Sequence, residues 1–523
     1  MNDFGIFAVA ERDPGRRALV DPSGQEASYG ELVAGMNAFA RGLRSLGLSS
    51  GDTVAVVLGN SRELLELYGA AVQTGLTFVA LNWHLGVDEL AYILTDSGAK
   101  VVVAHERFAD VARGAAELAG IPLPARFAVG DTPGFRPLAE LVAGQPVAAL
   151  GSRQAGQVMF YTSGTTGRPK GVRKRLAETP VDEIALITGI GLRASSFAAI
   201  ASTHPEHRVD LVCGPMYHAA PIAGACGALD NGAFLVMVDH WTPEDFLEKV
   251  ERYRVTNVSM VPTMFHRLLA LPEETRARAD VSPLQMVSHA GAPCPVDVKR
   301  RMIEWWGPII VESYSSTEGA GTTVTAEEWL RKPGTVGQPS PGVVLRILDD
   351  DGNDCAPGAP GLVYVSQTMW QFDYHNDPGK TAANRRGDLF TVGDIGYVDD
   401  DGYLFLCDRQ ADVIISGGVN VYPAEVEATL LTHPAVVDAA VVGAPSDEWG
   451  EEVTAVVEMN VSTGTVPGHE LAQDLIEFCR ARLAHYKCPR AVDFVDSLGR
   501  DPNGKLRKKA IRDRYWEGRD RKI

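Results

Sequence analysis

One segment concentrates more chemistry than any other in the chain: Thr162-Ser163-Gly164-Thr165-Thr166-Gly167-Arg168-Pro169-Lys170-Gly171. Its glycines allow backbone conformations that other residues avoid, so several N–H groups can converge on one anion. The hydroxyls of Thr162, Ser163, Thr165 and Thr166 add donors, and Lys170 adds a full positive charge. This set suits the β- and γ-phosphates of a nucleotide, or departing pyrophosphate. Residues 158–161 ahead of it read as a strand, and Gly171-Val172-Arg173 behind it reads as extended. A Walker A loop needs G-x-x-x-x-G-K-[ST] opening a helix. Here Pro169 precedes Lys170 and Gly171 follows it, so a P-loop NTPase is the weaker reading. The plain alternative is a flexible Ser/Thr/Gly surface loop.

Other reactive groups are spread downstream. In Tyr314-Ser315-Ser316-Thr317-Glu318, Glu318 offers the hard oxygen that Mg²⁺ on ATP takes. Alone, such a Glu reads equally as a helix cap or a solvated charge. Thr317 can reach an α-phosphate, and Tyr314 offers a flat face to adenine or else packs in a core. Asp394, closing Thr391-Val392-Gly393-Asp394, is an acceptor-only carboxylate suited to paired ribose hydroxyls, or a turn residue. Arg409 can meet ribose or phosphate. His218 ends Pro215-Met216-Tyr217-His218. Lys505 sits in the turn Pro502-Asn503-Gly504-Lys505, where one ammonium can be delivered to a remote site. Its alternative is a basic surface run with Arg507, Lys508 and Lys509. His204-Pro205-Glu206-His207 with Asp210 is a weak match to a zinc cluster.

Taken in order, these segments resemble the adenylate-forming superfamily, which includes acyl- and aryl-CoA ligases, firefly luciferase and the adenylation domains of peptide synthetases. The phosphate loop, the segments ending at His218, Glu318 and Asp394, Asp408-Arg409 with the glycine pair Gly417-Gly418, and the turn at Lys505 cover essentially the whole chain. The resemblance implies an acid–thiol ligase. ATP and Mg²⁺ convert a carboxylic acid to an acyl-AMP, and coenzyme A takes the acyl group, giving acyl-CoA, AMP and pyrophosphate. Transfer to an amine is the alternative. The resemblance also implies an adenine pocket at Gly291-Ala292-Pro293, a carboxylate pocket bordered by His218, and Lys505 bridging carboxylate and α-phosphate. A small C-terminal domain then rotates to bring Gly417 and Gly418 beside the pantetheine arm. Three places depart from the family pattern: Ala411 stands at the hinge, Ser315 replaces the glycine after the motif tyrosine, and the basic run Val172-Arg173-Lys174-Arg175 follows Gly171. Val261, Phe265, Ala290 and Ala220 are apolar candidates for the acid pocket and allow fatty, aromatic or polycyclic acids.

The elements that must hold these groups read as layered α/β. Helical spacing at 29–46, 62–73 and 90–97 alternates with apolar runs at 54–58, 77–81 and 101–104, which argues a largely parallel sheet. The rhythm returns from Leu211 to Val261, so two tandem sheet-and-helix units are expected. Hairpin signals at Asp351-Gly352-Asn353 and Asp401-Gly402 mark a smaller β-rich subdomain. Mixed α and β follow Arg409. The expected domains are 1–408, binding ATP and the acid, and 409–523, a mobile α+β lid.

The 523 residues are too many for one core. The formal charge of -18 argues against nucleic acid or an anionic membrane as partner. Seven scattered cysteines without a C-x-x-C pair point to a reducing cytoplasm. Residues 1–17 carry Asp3, Glu11, Arg12 and Asp13 and lack a signal-like apolar run. No run reaches the roughly 18 apolar residues of a membrane span. No acyl-carrier segment follows, which reads as a free-standing enzyme. Its partners are then small molecules, with a homodimer as the expected oligomer.

Overall fold

The computed structural model describes residues 5–162, 169–175, 207–319, 321–367, 371–460, 466–500 and 506–518. Four sheets organise them. In the first, Thr53–Val57 is buried at all five positions, as a strand covered on both faces must be. It pairs in parallel with Thr77–Ala80 and Ala99–His105, and Gln157–Thr162 joins Thr77–Ala80 in parallel. The second sheet runs parallel through Arg17–Val20, Phe234–Met237, Val209–Val212, Asn257–Met260, Met286–His289 and Ile310–Tyr314.

Helices between the two sheets follow local rules. Tyr29–Ser45 opens on a capping box in which Ser28 and Glu31 exchange hydrogen bonds, a device contributing about 1 kcal/mol. Leu32, Met36, Phe39 and Leu43 recur at helical spacing and face inward. One core cluster unites Val54, Val56 and Phe78 of the first sheet with Leu19, Leu235 and Met237 of the second through those helices. The sheets are thereby locked together, and the carboxyl ends of their strands are held at fixed spacing.

The strands between 53 and 105 share the first sheet and those between 209 and 260 the second, as expected, but two further strands cross between them. Strand Arg17–Val20 crosses to the second sheet and pairs with Phe234–Met237. Strand Gln371–Tyr374 returns to the first and pairs with Lys170–Arg175. The two units are interleaved. Hydrophobic runs report burial, and burial is the same in either sheet, so periodicity carries no information about which edge a strand joins.

The β-rich subdomain is antiparallel, with Val343–Leu348 on Gly361–Gln367 and Asp394–Val398 on Leu404–Arg409. Beyond it, Ile414–Ser416, Val419–Val421, Val436–Ser446, Gly450–Met459 and Ala491–Val495 form the fourth sheet. Helices Pro423–Leu430 and His469–Arg480 contribute to its core through Val426, Leu430, Leu471 and Leu475. No helix among the described residues is long and apolar enough to cross a membrane.

Candidate active site

In open parallel sheets, ligands bind outside the carboxyl ends of the strands. Thr162 closes Gln157–Thr162, His218 follows Val209–Val212, Gly291 follows Met286–His289, and Tyr314 closes Ile310–Tyr314. One asparagine braces the turn after Val209–Val212 against the end of Phe234–Met237. Asn60 donates from Nδ2 to Gly214 O and Val238 O, each at 3.0 Å, and accepts Met216 N at 2.8 Å. That fixes the turn that places His218 as the N-cap of a helix, Ala219–Asp230. Sequence reasoning missed Asn60, because all three of its partners are remote in the chain.

Ser163, Gly164, Thr165, Thr166 and Lys505 lie outside the described residues, as do His204 and Glu206. The mouth of the phosphate loop is described. Thr162 and Lys170 face each other across an antiparallel pair, so residues 163–169 connect the two strands of a hairpin. Thr162 Oγ1 is buried with no hydrogen-bond partner among the described residues.

Lys170 Nζ lies 3.7 Å from Glu318 Oε1, and Glu318 is only 5% exposed. Burial draws the Lys170 ammonium below its ordinary pKa, with Glu318 opposing and Lys380 and Arg409 adding to the shift. Between them stands Tyr374, which belongs to none of the motif segments. Its phenol accepts from Lys170 Nζ at 3.0 Å and donates to Glu318 Oε1 at 2.8 Å. The only local signal for Tyr374 is its neighbouring turn, Asn376-Asp377-Pro378, which has no chemistry of its own.

A second group centres on Tyr314, at the end of Ile310–Tyr314. Tyr314 Oη donates to Asp394 Oδ2, and Arg409 Nε lies 3.3 Å from Asp394 Oδ1. Asp394 and Arg409 are paired in register across neighbouring strands. Burial first, then Asp394, pushes the Tyr314 phenol well above its ordinary pKa, so it stays a donor. A shallow pocket adjoins it, lined by Tyr314, Ser315, Ser316, Val363 and Phe390 among others. Thr317 is half-buried in the turn before Glu318. Gly291 has φ +88°, a left-handed conformation that holds the Gly291-Ala292 turn open beside Val261.

Two further expectations meet the structure differently. Phe265 is fully buried and packs edge-on to His289 and Trp306, so it is a core residue and no part of an acid pocket. Val261 and Ala290 remain half-exposed, and Ala220 is exposed. Gly417 and Gly418 form the two-residue turn between Ile414–Ser416 and Val419–Val421, with Gly417 N bonded to Trp449 O at 2.9 Å. Their described contacts lie within the C-terminal sheet, not with the Lys170 or Asp394 groups.

The arrangement offers a cation beside a carboxylate, and a donor–carboxylate–guanidinium chain at Tyr314, Asp394 and Arg409. It can hold a polyphosphate and a ribose side by side. The family model described as AMP-binding enzyme matches residues 6–371, and that described as AMP-binding enzyme C-terminal domain matches residues 425–505. The chain is 34% identical over 516 residues to feruloyl-CoA synthase of Amycolatopsis sp, spanning 96% of this chain and 98% of that protein. Among solved structures it is similar to o-succinylbenzoate CoA synthetase (MenE) from Bacillus subtilis in complex with its acyl-adenylate, at TM-score 0.82 and 27% identity over 97% of each chain. It is similar also to the amide bond synthetase McbA from Marinactinospora thermotolerans, at TM-score 0.81 and 27% identity over 97% of this chain and 99% of that one.

Proposed function

The chain belongs to the AMP-binding enzyme family, and from that premise we propose that it is an acid–thiol ligase that activates a carboxylic acid with ATP and transfers it to coenzyme A. The intermediate is an acyl-AMP, and the products are acyl-CoA, AMP and pyrophosphate. The observation that carries this reading is the placement of Lys170 with Glu318, and of Tyr314 with Asp394 and Arg409, at neighbouring strand ends.

A carboxylate and ATP repel each other, so the site must screen charge and hold the attacking oxygen in line with the α-phosphorus. In this reading residues 162–170 hold the β- and γ-phosphates, Tyr314 and the Gly291-Ala292 turn hold adenine, and Asp394 and Arg409 hold the ribose. Mg²⁺ fits the hard, buried carboxylate of Glu318 and would supply positive charge at the polyphosphate. Thr317 and Lys505 meet the α-phosphate, and His218 borders the acid. The carboxylate oxygen attacks the α-phosphorus and pyrophosphate leaves. The thiol sulfur of coenzyme A then attacks the acyl carbon and AMP leaves. Residues 409–523 act as the lid that changes position between the two steps, exchanging Lys505 for the Gly417-Gly418 turn.

Ferulic and o-succinylbenzoic acids, whose acyl groups name two of the similar proteins, make aromatic acids the first class to supply. A cytoplasmic location fits seven cysteines that are all free. Gel filtration tests the homodimer. A second reading, transfer of the acyl group to an amine, is favoured by the similarity to McbA. Product analysis with coenzyme A and with amines supplied separately tests both. Thioester with coenzyme A supports the ligase, whereas amide alone overturns it.

A further inference from the structure

The phenol of Tyr374 joins two motif segments that are far apart in the chain. Lys170 Nζ donates to it at 3.0 Å, Asn384 Nδ2 donates at 3.3 Å, and it donates to Glu318 Oε1 at 2.8 Å. The polarity of this junction is forced. An ammonium and an amide nitrogen can only donate, and a phenol owns one proton, so that proton is directed to Glu318. The Lys170 ammonium also lies 4.1 Å from the centre of the Tyr374 ring, within range of a cation–π contact.

The tyrosine is itself held by the fold. Tyr374 pairs in register with Val172 on the strand that leaves the phosphate loop. Its N–H donates to Thr381 Oγ1 at 3.0 Å. Its ring is 2% exposed and meets Phe372 edge-on at 5.3 Å. The Asn384 carbonyl accepts Thr391 N at 3.0 Å, which links the junction to the segment that ends at Asp394. The phenol oxygen is therefore placed by sheet pairing and core packing before any ligand arrives.

We propose that Tyr374 is a positioning residue: it fixes the rotation of the Glu318 carboxylate for the Mg²⁺ of ATP and holds Lys170 beside it. This rests on the ATP-dependent reading above. By claiming one oxygen of Glu318, the phenol sets where the carboxylate's remaining lone pairs point, and a hard cation requires that orientation. By accepting from Lys170, it keeps a long, flexible ammonium near the polyphosphate and reduces the entropy lost when nucleotide binds. When phosphates arrive, Lys170 can turn to them while Tyr374 keeps its bond to Glu318.

Tyr374→Phe removes one oxygen and keeps the buried ring. Titration calorimetry with a non-hydrolysable ATP analogue, run with Mg²⁺ and again with EDTA, measures the consequence without turnover. The affinity for the Mg²⁺ complex falls about tenfold, the scale of one lost hydrogen bond to a charged group, while metal-free affinity, which feels only the loosened Lys170, falls less. In acid-dependent pyrophosphate exchange, the Mg²⁺ concentration for half-maximal rate rises by a similar factor and kcat recovers at saturating Mg²⁺. In a Glu318→Gln background the same substitution has no further effect on the Mg²⁺ dependence. Asn384→Ala, which removes another donor to that oxygen, gives a smaller loss of the same kind and carries the test should Tyr374→Phe not fold. Unchanged Mg²⁺ affinity, or an equal loss with and without the metal, overturns the proposal. Wild-type protein that binds Mg²⁺-nucleotide but shows no acid-dependent exchange refutes carboxylate activation instead, and the calorimetric comparison still decides the role of Tyr374.

Discussion

Tyr314 Oη donates to Asp394 Oδ2 at 2.7 Å although the two residues lie 80 positions apart and belong to different sheets. The contact closes the second sheet onto the β-rich subdomain beside the pocket that Tyr314 lines. It also orients a carboxylate that Arg409 braces from the neighbouring strand.

Asp394→Ala removes the acceptor assigned to the ribose. A hydrogen bond to a charged group contributes about 1.5–3 kcal/mol, so KM for ATP rises roughly ten- to hundredfold. KM for the acid stays near wild type. Steady-state kinetics with each substrate varied in turn checks this. A rise in KM for the acid alone would contradict the assignment.

Lys505→Ala removes the ammonium proposed to meet the charge that moves during acyl-AMP formation. Such losses cost about 10²–10³ in rate. Acid-dependent pyrophosphate exchange falls by that factor, while thioester formation from supplied acyl-adenylate persists. Exchange at the wild-type rate would refute the role.

The glycine pair separates stability from catalysis. Gly417 has φ +59°, and a Cβ there would come within 2.7 Å of the Trp449 ring. Gly417→Ala therefore costs about 1–2 kcal/mol from the backbone alone, read as a lower melting temperature. Gly418 has φ +80° but open space where a Cβ would stand. Gly418→Leu folds with similar backbone strain and slows thioester formation more than acyl-AMP formation. Equal loss in both half-reactions argues against a thiol passage there.

Much of this was legible in the chain because each signal is local. The extended reading of Gly171-Val172-Arg173 matches strand Lys170–Arg175. Helix Pro243–Tyr253 and the hairpin Val343–Leu348 with Gly361–Gln367 follow from spacing and turn residues. Tyr374 was not legible, since its meaning depends on Lys170 and Glu318, 204 and 56 positions away. Asn60 was hidden for the same reason, with partners 154 to 178 positions distant. Phe265 misled because an apolar residue after a strand reads alike whether it faces a pocket or the core.

Two buried acids give the fold a pH signature. Burial pushes the Glu66 carboxyl from 4.5 up to about 7, against the opposing pull of Arg62, and pushes Asp230 from 3.8 up to about 6. A raised carboxyl contributes stability that is whole below the unfolded pKa and is lost as pH rises through the folded one. Stability therefore declines between about pH 4 and pH 7 from these groups, by on the order of 3 kcal/mol for Glu66. Glu66→Gln flattens that decline and is at least as stable as wild type above pH 7. Urea denaturation at several pH values reads it, and a parallel slope in both proteins would contradict the assignment.

The central claim is that the site joins an organic acid to the α-phosphorus of ATP. Its most direct measurement is exchange of labelled pyrophosphate into ATP by the wild-type protein with Mg²⁺, without coenzyme A, across a panel of aromatic and aliphatic acids. The account predicts exchange that depends on the acid, with AMP accumulating once coenzyme A is added. No exchange with any acid, or ADP as the nucleotide product, would contradict it.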